Sequence, residues 1–374
     1  MNASPPLALH IGPVRDFAAD EAPPPWSSDQ DDALHCVHVR EETHDVKTFV
    51  LAASGGRSFR YLPGQFITLT LTIGERQVNR CYTLSSSPTR PDLASITVKR
   101  VPGGLVSNWL HDTLRPGGRL IAAGPAGLFS CFAHPAERYL FLSGGSGVTP
   151  LMSMTRALHD LASPADILFV HCARTPADAL FTDELALMAR CMPRLRLVTL
   201  CEQQPAHSAY AGHLGRLDGA LLARIAPDLS ARDIYTCGPA PFMAAVRGLL
   251  LASGYDMKRY REESFSFDGG IAAQAELAVS NPATADVGAF RVRFQKLGDE
   301  FTCRGDQSIL QAATAAGLRV PFSCSSGLCG TCKTKKISGT VHMQHAGGIR
   351  QREIDQGWIL PCCSRPASDI VLER

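Results

Sequence analysis

No apolar run in this chain approaches the ~18 residues that a membrane-crossing helix needs, which argues against an integral membrane protein. Its first residues lack a basic stretch followed by an apolar core, so no secretory leader is expected. Strong charge of either sign is missing too. With 37 Lys and Arg against 35 Asp and Glu, the formal net charge of +2 gives no basis for bulk nucleic-acid binding. No internal repeat is visible. No Rieske C-x-H…C-x2-H set at close spacing and no 2-His-1-carboxylate set is recognisable, so the chain is not expected to oxygenate a substrate itself. Disulfides are not expected either, despite 13 cysteines, because this is no small secreted domain. Reduced thiols in a cytoplasmic protein fit better.

What is present is a cysteine constellation: Cys324-x4-Cys329-x2-Cys332, then Cys362 after 29 intervening residues. A zinc ribbon would pair two short C-x2-C knuckles, and only one occurs. Four thiolates at this spacing are what a plant-type [2Fe–2S] cluster requires. Gly327 and Gly330 let the loop turn so that amide N–H groups face the sulfurs. Cys363 adjoins Cys362. The latter follows Gly357-Trp358-Ile359-Leu360-Pro361 and precedes Pro366 by four positions, matching the G-aromatic-x-L-x-C-x3-P ending of plant-type ferredoxins.

At 374 residues, with 45% hydrophobic and 19% charged residues, the chain suits two or three globular domains. Residues 1–33, rich in Pro, Ala and Asp, read as an extended tail. From 34 to 130, short β-rich runs broken by Gly and Pro (Lys47–Ala52, Phe66–Ile73, Ser95–Val101, Arg119–Ala122) predict a small antiparallel barrel. From 131 to 265, the apolar cores Tyr139–Leu142, Asp166–Ala173, Arg196–Cys201 and Asp233–Cys237 alternate with helical stretches, which predicts a parallel sheet. Residues 266–288 have linker composition. The part from 289 to 374 opens with a strand, Phe290–Phe294, and holds the cysteines.

Two further motifs carry chemistry. Arg80-Cys81-Tyr82-Thr83-Leu84-Ser85 offers a cation for a phosphate, a flat ring for stacking and hydroxyls for hydrogen bonds; alternation puts Arg80 and Tyr82 on one strand face. It lies between Leu62-Pro63-Gly64-Gln65-Phe66 and the loop Gly103-Gly104 with Ser107, near a helix start that suits phosphate. The order P-G-Q-F, R-x-Y-[ST], G-G-x-x-S is a flavin-binding pattern. Then Gly144-Gly145-Ser146-Gly147-Val148-Thr149-Pro150 leaves a buried strand and opens a helix over Leu151–Leu161. Its glycines admit a dinucleotide pyrophosphate, with Pro150 suited to the first helical position. The Rossmann G-x-G-x-x-G is absent, since Thr149-Pro150 stands at the third glycine. Cys237-Gly238-Pro239 ends another strand before the helix Pro241–Leu251 and brings a small thiol toward a nicotinamide. Glu263 and Phe265 close this part, the acid suited to a proton network and the ring to covering a flavin.

From residue 34 onward the chain resembles the ferredoxin–NADP⁺ reductase superfamily with a C-terminal plant-type ferredoxin domain. Glu42-Thr43-His44-Asp45-Val46-Lys47-Thr48-Phe49 resembles the subgroup that serves Rieske-type demethylases of glycine betaine, carnitine and related quaternary amines. The resemblance implies a flavin-binding β-barrel, an α/β parallel-sheet nucleotide domain and a β-grasp ferredoxin domain. It implies FAD at Arg80, Tyr82, Thr83, Ser85, Gly103, Gly104, Ser107 and Phe265. It implies NADH, with NADPH open, at Gly145, Gly147, Thr149, Pro150, Arg174, Cys237, Gly238 and Pro239. Thr83, Cys237 and Glu263 become the catalytic candidates, and Cys324, Cys329, Cys332 and Cys362 the metal ligands. The partner implied is a separate Rieske-type oxygenase. A hybrid-cluster protein as electron acceptor, or a redox sensor without turnover, are the alternatives. Residues 289–374 carry 12 Lys and Arg against 7 Asp and Glu. Lys333, Lys335 and Lys336 after Cys332 therefore suggest either a basic rim that steers an acidic partner or an ordinary solvated strand.

Overall fold

The computed structural model describes residues 23–374 except 29, 75, 205–209, 211, 265–287, 319, 321, 323–326, 328–329, 331 and 346–347. The first unit has strands β1 (Ala33–Thr43), β2 (Val46–Ala53), β3 (Phe66–Ile73), β4 (Arg76–Thr83), β5 (Ala94–Lys99) and β6 (Arg119–Ala126), with helix α1 (Leu105–Thr113) before β6. Every pairing among these strands is antiparallel, in the order β4-β3-β6-β1-β2-β5. A bridge between Leu84 and Ile96 joins the two edges. The run Phe66–Ile73 alternates as a strand should. Ile67, Leu69 and Leu71 enter the barrel core with Phe49, Leu51 and Ile96, while Thr68 and Thr70 face the other way.

Within the stretch to about residue 33 expected to be an extended or partly disordered tail, the described residues from 23 onward pack against the barrel. Trp26 is buried in the barrel core, its ring 5.6 Å from that of Phe59. Pro25 bridges Ser58, and the Trp26 indole donates to the carbonyl of Asp31 at 2.8 Å. A lone Trp in a Pro-rich stretch escapes composition-based reading because its partner lies 33 residues onward.

The second unit is a six-stranded parallel sheet: β7 (Arg138–Gly144), α2 (Val148–Asp160), β8 (Asp166–Ala173), α3 (Thr182–Cys191), β9 (Leu195–Cys201), β10 (His213–Leu214), α4 (Gly219–Ile225), β11 (Asp233–Gly238), α5 (Ala240–Ala252) and β12 (Tyr260–Ser264), ordered β10-β9-β8-β7-β11-β12. Strands buried on both faces read as continuous apolar runs, as Tyr139–Leu142 does. Pro150 stands third in α2 rather than first. Its missing N–H still falls among the first four, which have no intrahelical partner.

The third unit comprises β13 (Ala289–Phe294), β14 (Glu300–Arg304), α6 (Ile309–Ala315), β15 (Thr334–Ser338), β16 (Val341–Met343), α7 (Gln351–Asp355), β17 (Trp358–Ile359), β18 (Ser364–Pro366) and β19 (Ile370–Leu372). Its mixed sheet runs β14-β13-β19-β15-β17 beside a β16-β18 pair, with α6 packed against it. The expected linker, 266–288, lies outside the described residues except Gly288. No helix among the described residues is long and apolar enough to cross a membrane.

Barrel and parallel sheet share one apolar core. Val46, Phe129 and Cys131 join Leu151, Met154 and Tyr235 in it. Polar ties reinforce the joint. Arg156 of α2, almost fully buried, pairs with Glu184 at 2.6 Å and donates to the Ser85 carbonyl, and Ser153 donates to the Ser86 carbonyl at 2.7 Å. Gly64 is obligatory here: its φ is +98°, and a Cβ would meet the Phe129 carbonyl oxygen at 2.0 Å. Replacing Trp26 by Ala is expected to cost about 3 kcal/mol through the cavity left in the barrel. A lowered melting midpoint checks this, and an unchanged one would return the segment to the status of a tail.

Candidate redox site

Strand β4 organises the site. Alternation places Asn79, Cys81 and Thr83 on one face and Val78, Arg80 and Tyr82 on the other. Val78 and Tyr82 pack against the barrel core. Cys81 pairs across the ladder with Thr68, their Sγ and Oγ1 3.4 Å apart. Thr83, buried, faces Glu263 of β12. Glu263 sits opposite Cys237 of β11 in parallel register, and Cys237 sits opposite Ser143 of β7. The three catalytic candidates, Thr83, Cys237 and Glu263, therefore meet where the barrel joins the parallel sheet, although they are far apart in sequence.

Electrostatics there are set by dehydration. Burial, with the neighbouring Cys81 thiol adding to it, pushes the Glu263 carboxyl up to about 8, and the Thr83 hydroxyl pulls weakly the other way. Thr83 Oγ1 and Glu263 Oε2 are each buried without a close hydrogen-bond partner among the described residues. Burial also holds the Cys237 thiol well above its ordinary range, with Glu263 adding to it. Cys237 is a neutral thiol at pH 7.

The glycine turns press together beneath this pair. A Cβ on Gly147 would come within 2.3 Å of the Cys237 carbonyl oxygen, and one on Gly238 within 2.7 Å of the Phe242 ring. Gly145, at φ +52°, has open space beside it. Thr149 is buried and donates to the Ser146 carbonyl at 3.2 Å, and Pro150 is buried behind it. Pro239 caps α5 on the exposed side. Arg174, past the end of β8, has an exposed side chain, while its carbonyl accepts from Gln203 at 2.8 Å.

Around the barrel loop, Gly103 is exposed at φ +71°, and Gly104 caps α1. Ser107 Oγ accepts from the Val101 N–H at 3.1 Å, holding the loop closed. Ser85 differs from its expected placement. Its hydroxyl turns into the barrel, 2.8 Å from Thr97, which bonds Thr48 in turn. What Ser85 presents to the next unit is its carbonyl. Arg80 donates to the Asn79 carbonyl at 2.8 Å. Phe265 lies outside the described residues.

Cys324 and Cys329 also lie outside the described residues, whereas Cys332 and Cys362 are buried together in the third unit's core. Cys363 is partly buried, its Sγ 3.6 Å from the Leu360 carbonyl and close against Gly327. The loop is built around Gly327 and Gly330, both at positive φ: a Cβ on Gly330 would lie 2.5 Å from the Gly348 carbonyl oxygen. Soft thiols in a dry pocket ringed by close backbone suit an iron–sulfur cluster. Orphaned polar atoms at Thr83 and Glu263 above a glycine cradle suit a flavin and a dinucleotide. The basic rim is tied down. Lys333 pairs with Glu353 at 2.7 Å, Lys336 donates to the Gly339 carbonyl at 2.6 Å, and Lys335 donates to the Gln356 carbonyl, 5.7 Å from the Trp358 ring centre.

Three residue types were not legible as functional in the sequence. Asn79, next to Arg80, donates to the Gly330 carbonyl at 3.3 Å. Cys81 sits inside the R-x-Y-[ST] motif as its unspecified position. Arg156, a lone cation in an otherwise buried apolar helix stretch, was the one detectable signal.

Fold and site define an oxidoreductase that combines a flavin barrel, a nucleotide domain and an iron–sulfur domain. Residues 34–131 match the family described as oxidoreductase FAD-binding domain, 141–248 the oxidoreductase NAD-binding domain, and 292–367 the 2Fe-2S iron-sulfur cluster binding domain. The chain is 43% identical over 345 residues to the glycine betaine monooxygenase reductase subunit of Pseudomonas aeruginosa, covering 91% of this chain and 94% of that one. It is 39% identical over 348 residues to the stachydrine N-demethylase reductase subunit of Rhizobium meliloti, covering 93% and 97%. The crystal structure of phthalate dioxygenase reductase superposes with a TM-score of 0.55 at 24% identity, covering 93% of this chain and all of that one, and shares the fold. The chain belongs to the family of reductase components of multicomponent monooxygenases.

Two expected outcomes follow from the site. A Glu263 raised to about 8 keeps its proton in the folded state across the window from its ordinary 4.5 to 8, where the unfolded chain has lost it. Its contribution is full below that window and is lost as pH rises through the folded value. Glu263→Gln should therefore flatten the fall in melting temperature across this window, and parallel wild-type and variant profiles would contradict it. Cys362→Ser should abolish bound iron and the visible iron–sulfur absorbance while Cys363→Ser keeps both; the reverse result would exchange the two assignments.

Proposed function

We propose that this chain passes electrons from NADH through FAD and a [2Fe–2S] cluster to a separate Rieske-type oxygenase that demethylates a quaternary amine of the glycine betaine class. The observation that carries this reading is one face of β4: Thr83 lies beside Glu263, which pairs in register with Cys237, and Asn79 on the same face bonds the cluster loop at Gly330. When bound, the nicotinamide supplies hydride, the flavin parts electron pairs into single electrons, and the cluster relays them.

The chain's own residues bind, orient and hold protons. Arg80 offers its charge to a flavin phosphate, Tyr82 its ring to the flavin plane, and Gly103, Gly104 and Ser107 a loop end for the pyrophosphate. Phe265 would cover the flavin ring, and Ser85 would border its pocket. Thr83 Oγ1, dry and unpaired, is set to bond the polar edge of the ring. Gly145, Gly147, Thr149 and Pro150 with Gly238 and Pro239 shape the nicotinamide cleft, and Arg174 stands toward the adenosine end. Cys237 closes the cleft as a small neutral wall. Glu263, protonated at neutral pH, holds a proton at its carboxyl beside Thr83. Cys324, Cys329, Cys332 and Cys362 would hold the irons. The similarity to two demethylating systems' reductases supports the partner and substrate class.

The test is reconstitution. Purified chain, a Rieske-type oxygenase and glycine betaine should together oxidise NADH faster than NADPH and release formaldehyde, with no turnover when any one is left out. If the chain instead reduces a hybrid-cluster protein and no quaternary amine supports turnover, this partner assignment is wrong.

A further inference from the structure

The barrel meets its two neighbours by different physics. With the parallel sheet it shares an apolar core. With the third unit it shares none among the described residues, since the two cores have separate members. A crevice of about 360 Å³ lies between them, lined by Thr68 and Thr70 on the barrel and by Lys333, Arg350 and Glu353 on the other side. What spans it is polar. The Asp32 carboxylate accepts from Arg350 at 3.0 Å and from Arg352 at 2.9 Å. Arg350 also donates to the Ala122 carbonyl of β6 at 2.8 Å. Asn79 reaches the Gly330 carbonyl.

These contacts lead straight to the cluster loop. Glu353 accepts from the Arg350 N–H at 2.9 Å and pairs with Lys333, the residue after Cys332. Asp32 is therefore linked through Arg350, Glu353 and Lys333 to a cluster ligand. The Arg350 side chain is only 10% exposed, and its charge is compensated by the paired Asp32 and by the nearby Glu353.

We propose that Asp32, Arg350 and Arg352 form an ionic latch that seats the cluster-bearing unit on the barrel with its ligand loop against β4, and that Asn79 fixes the register of that seating. The proposal rests on the electron route given above. These are positioning residues: none of them is among the residues assigned above to a cofactor. An interface without shared apolar core, held by one carboxylate and two guanidinium groups, opens as salt screens it.

The test compares the cofactor-loaded wild type with Asp32→Ala, Arg352→Ala and the conservative Asp32→Glu. NADH-driven ferricyanide reduction, drawn from the flavin, should be unchanged in all four. Reduction of the cluster after mixing with NADH should slow about fivefold or more in both Ala variants and recover in Asp32→Glu. Small-angle X-ray scattering should show a larger radius of gyration in the Ala variants at low salt, and in the wild type as NaCl is raised. Wild-type cluster reduction and radius in Asp32→Ala would overturn the latch. If the wild type itself leaves its cluster oxidised, the electron route is what fails, and the scattering alone then decides the latch.

Discussion

The period-two geometry of one short strand is the constraint on which the rest depends. Because side chains alternate along β4, Asn79, Cys81 and Thr83 share a face, with Asn79 and Thr83 each two residues' rise from Cys81. Thr83 on that face lies beside Glu263, which pairs with Cys237, and Asn79 bonds Gly330. The candidate nucleotide and metal sites are thus brought to the same strand. The strand can do this because it is an edge strand of the six-stranded order, with β3 on one side and only the Leu84–Ile96 bridge joining the edges.

The two joints around the barrel suit different tasks. Hydride transfer tolerates little misplacement, so the flavin and nucleotide units benefit from an apolar weld reinforced by Arg156. Handing electrons to another protein needs a unit that can be approached, and a polar, incompletely filled joint serves that end. The same burial that welds the first joint explains its electrostatics: desolvation favours the neutral forms of Glu263 and Cys237.

Local signals were legible in the sequence. Phe66–Ile73 alternates and is β3 to the residue, and the glycine-rich run leads from a strand into a helix as expected, although the helix starts at Val148, three residues before the expected Leu151. The cysteine spacing pointed to the third unit before any coordinates. What was hidden depended on distant partners. Trp26 needs Phe59, Ser85 turns inward because Thr97 waits there, and the lysines after Cys332 find Glu353 and Gln356 rather than solvent. Asn79 looked like an unremarkable neighbour of Arg80, and Asp32 like the end of a polar tail. Their roles exist only once the third unit is folded against the first.

The account's central claim is that electrons from a nicotinamide seated beside Cys237 pass through the barrel's flavin and leave through the cysteine loop. The most direct measurement is freeze-quench electron paramagnetic resonance after anaerobic mixing with less than one equivalent of NADH. The account predicts that the signal of a reduced [2Fe–2S] centre grows in as the flavin absorbance falls, with no external mediator. A bleached flavin beside a cluster that stays silent would contradict it.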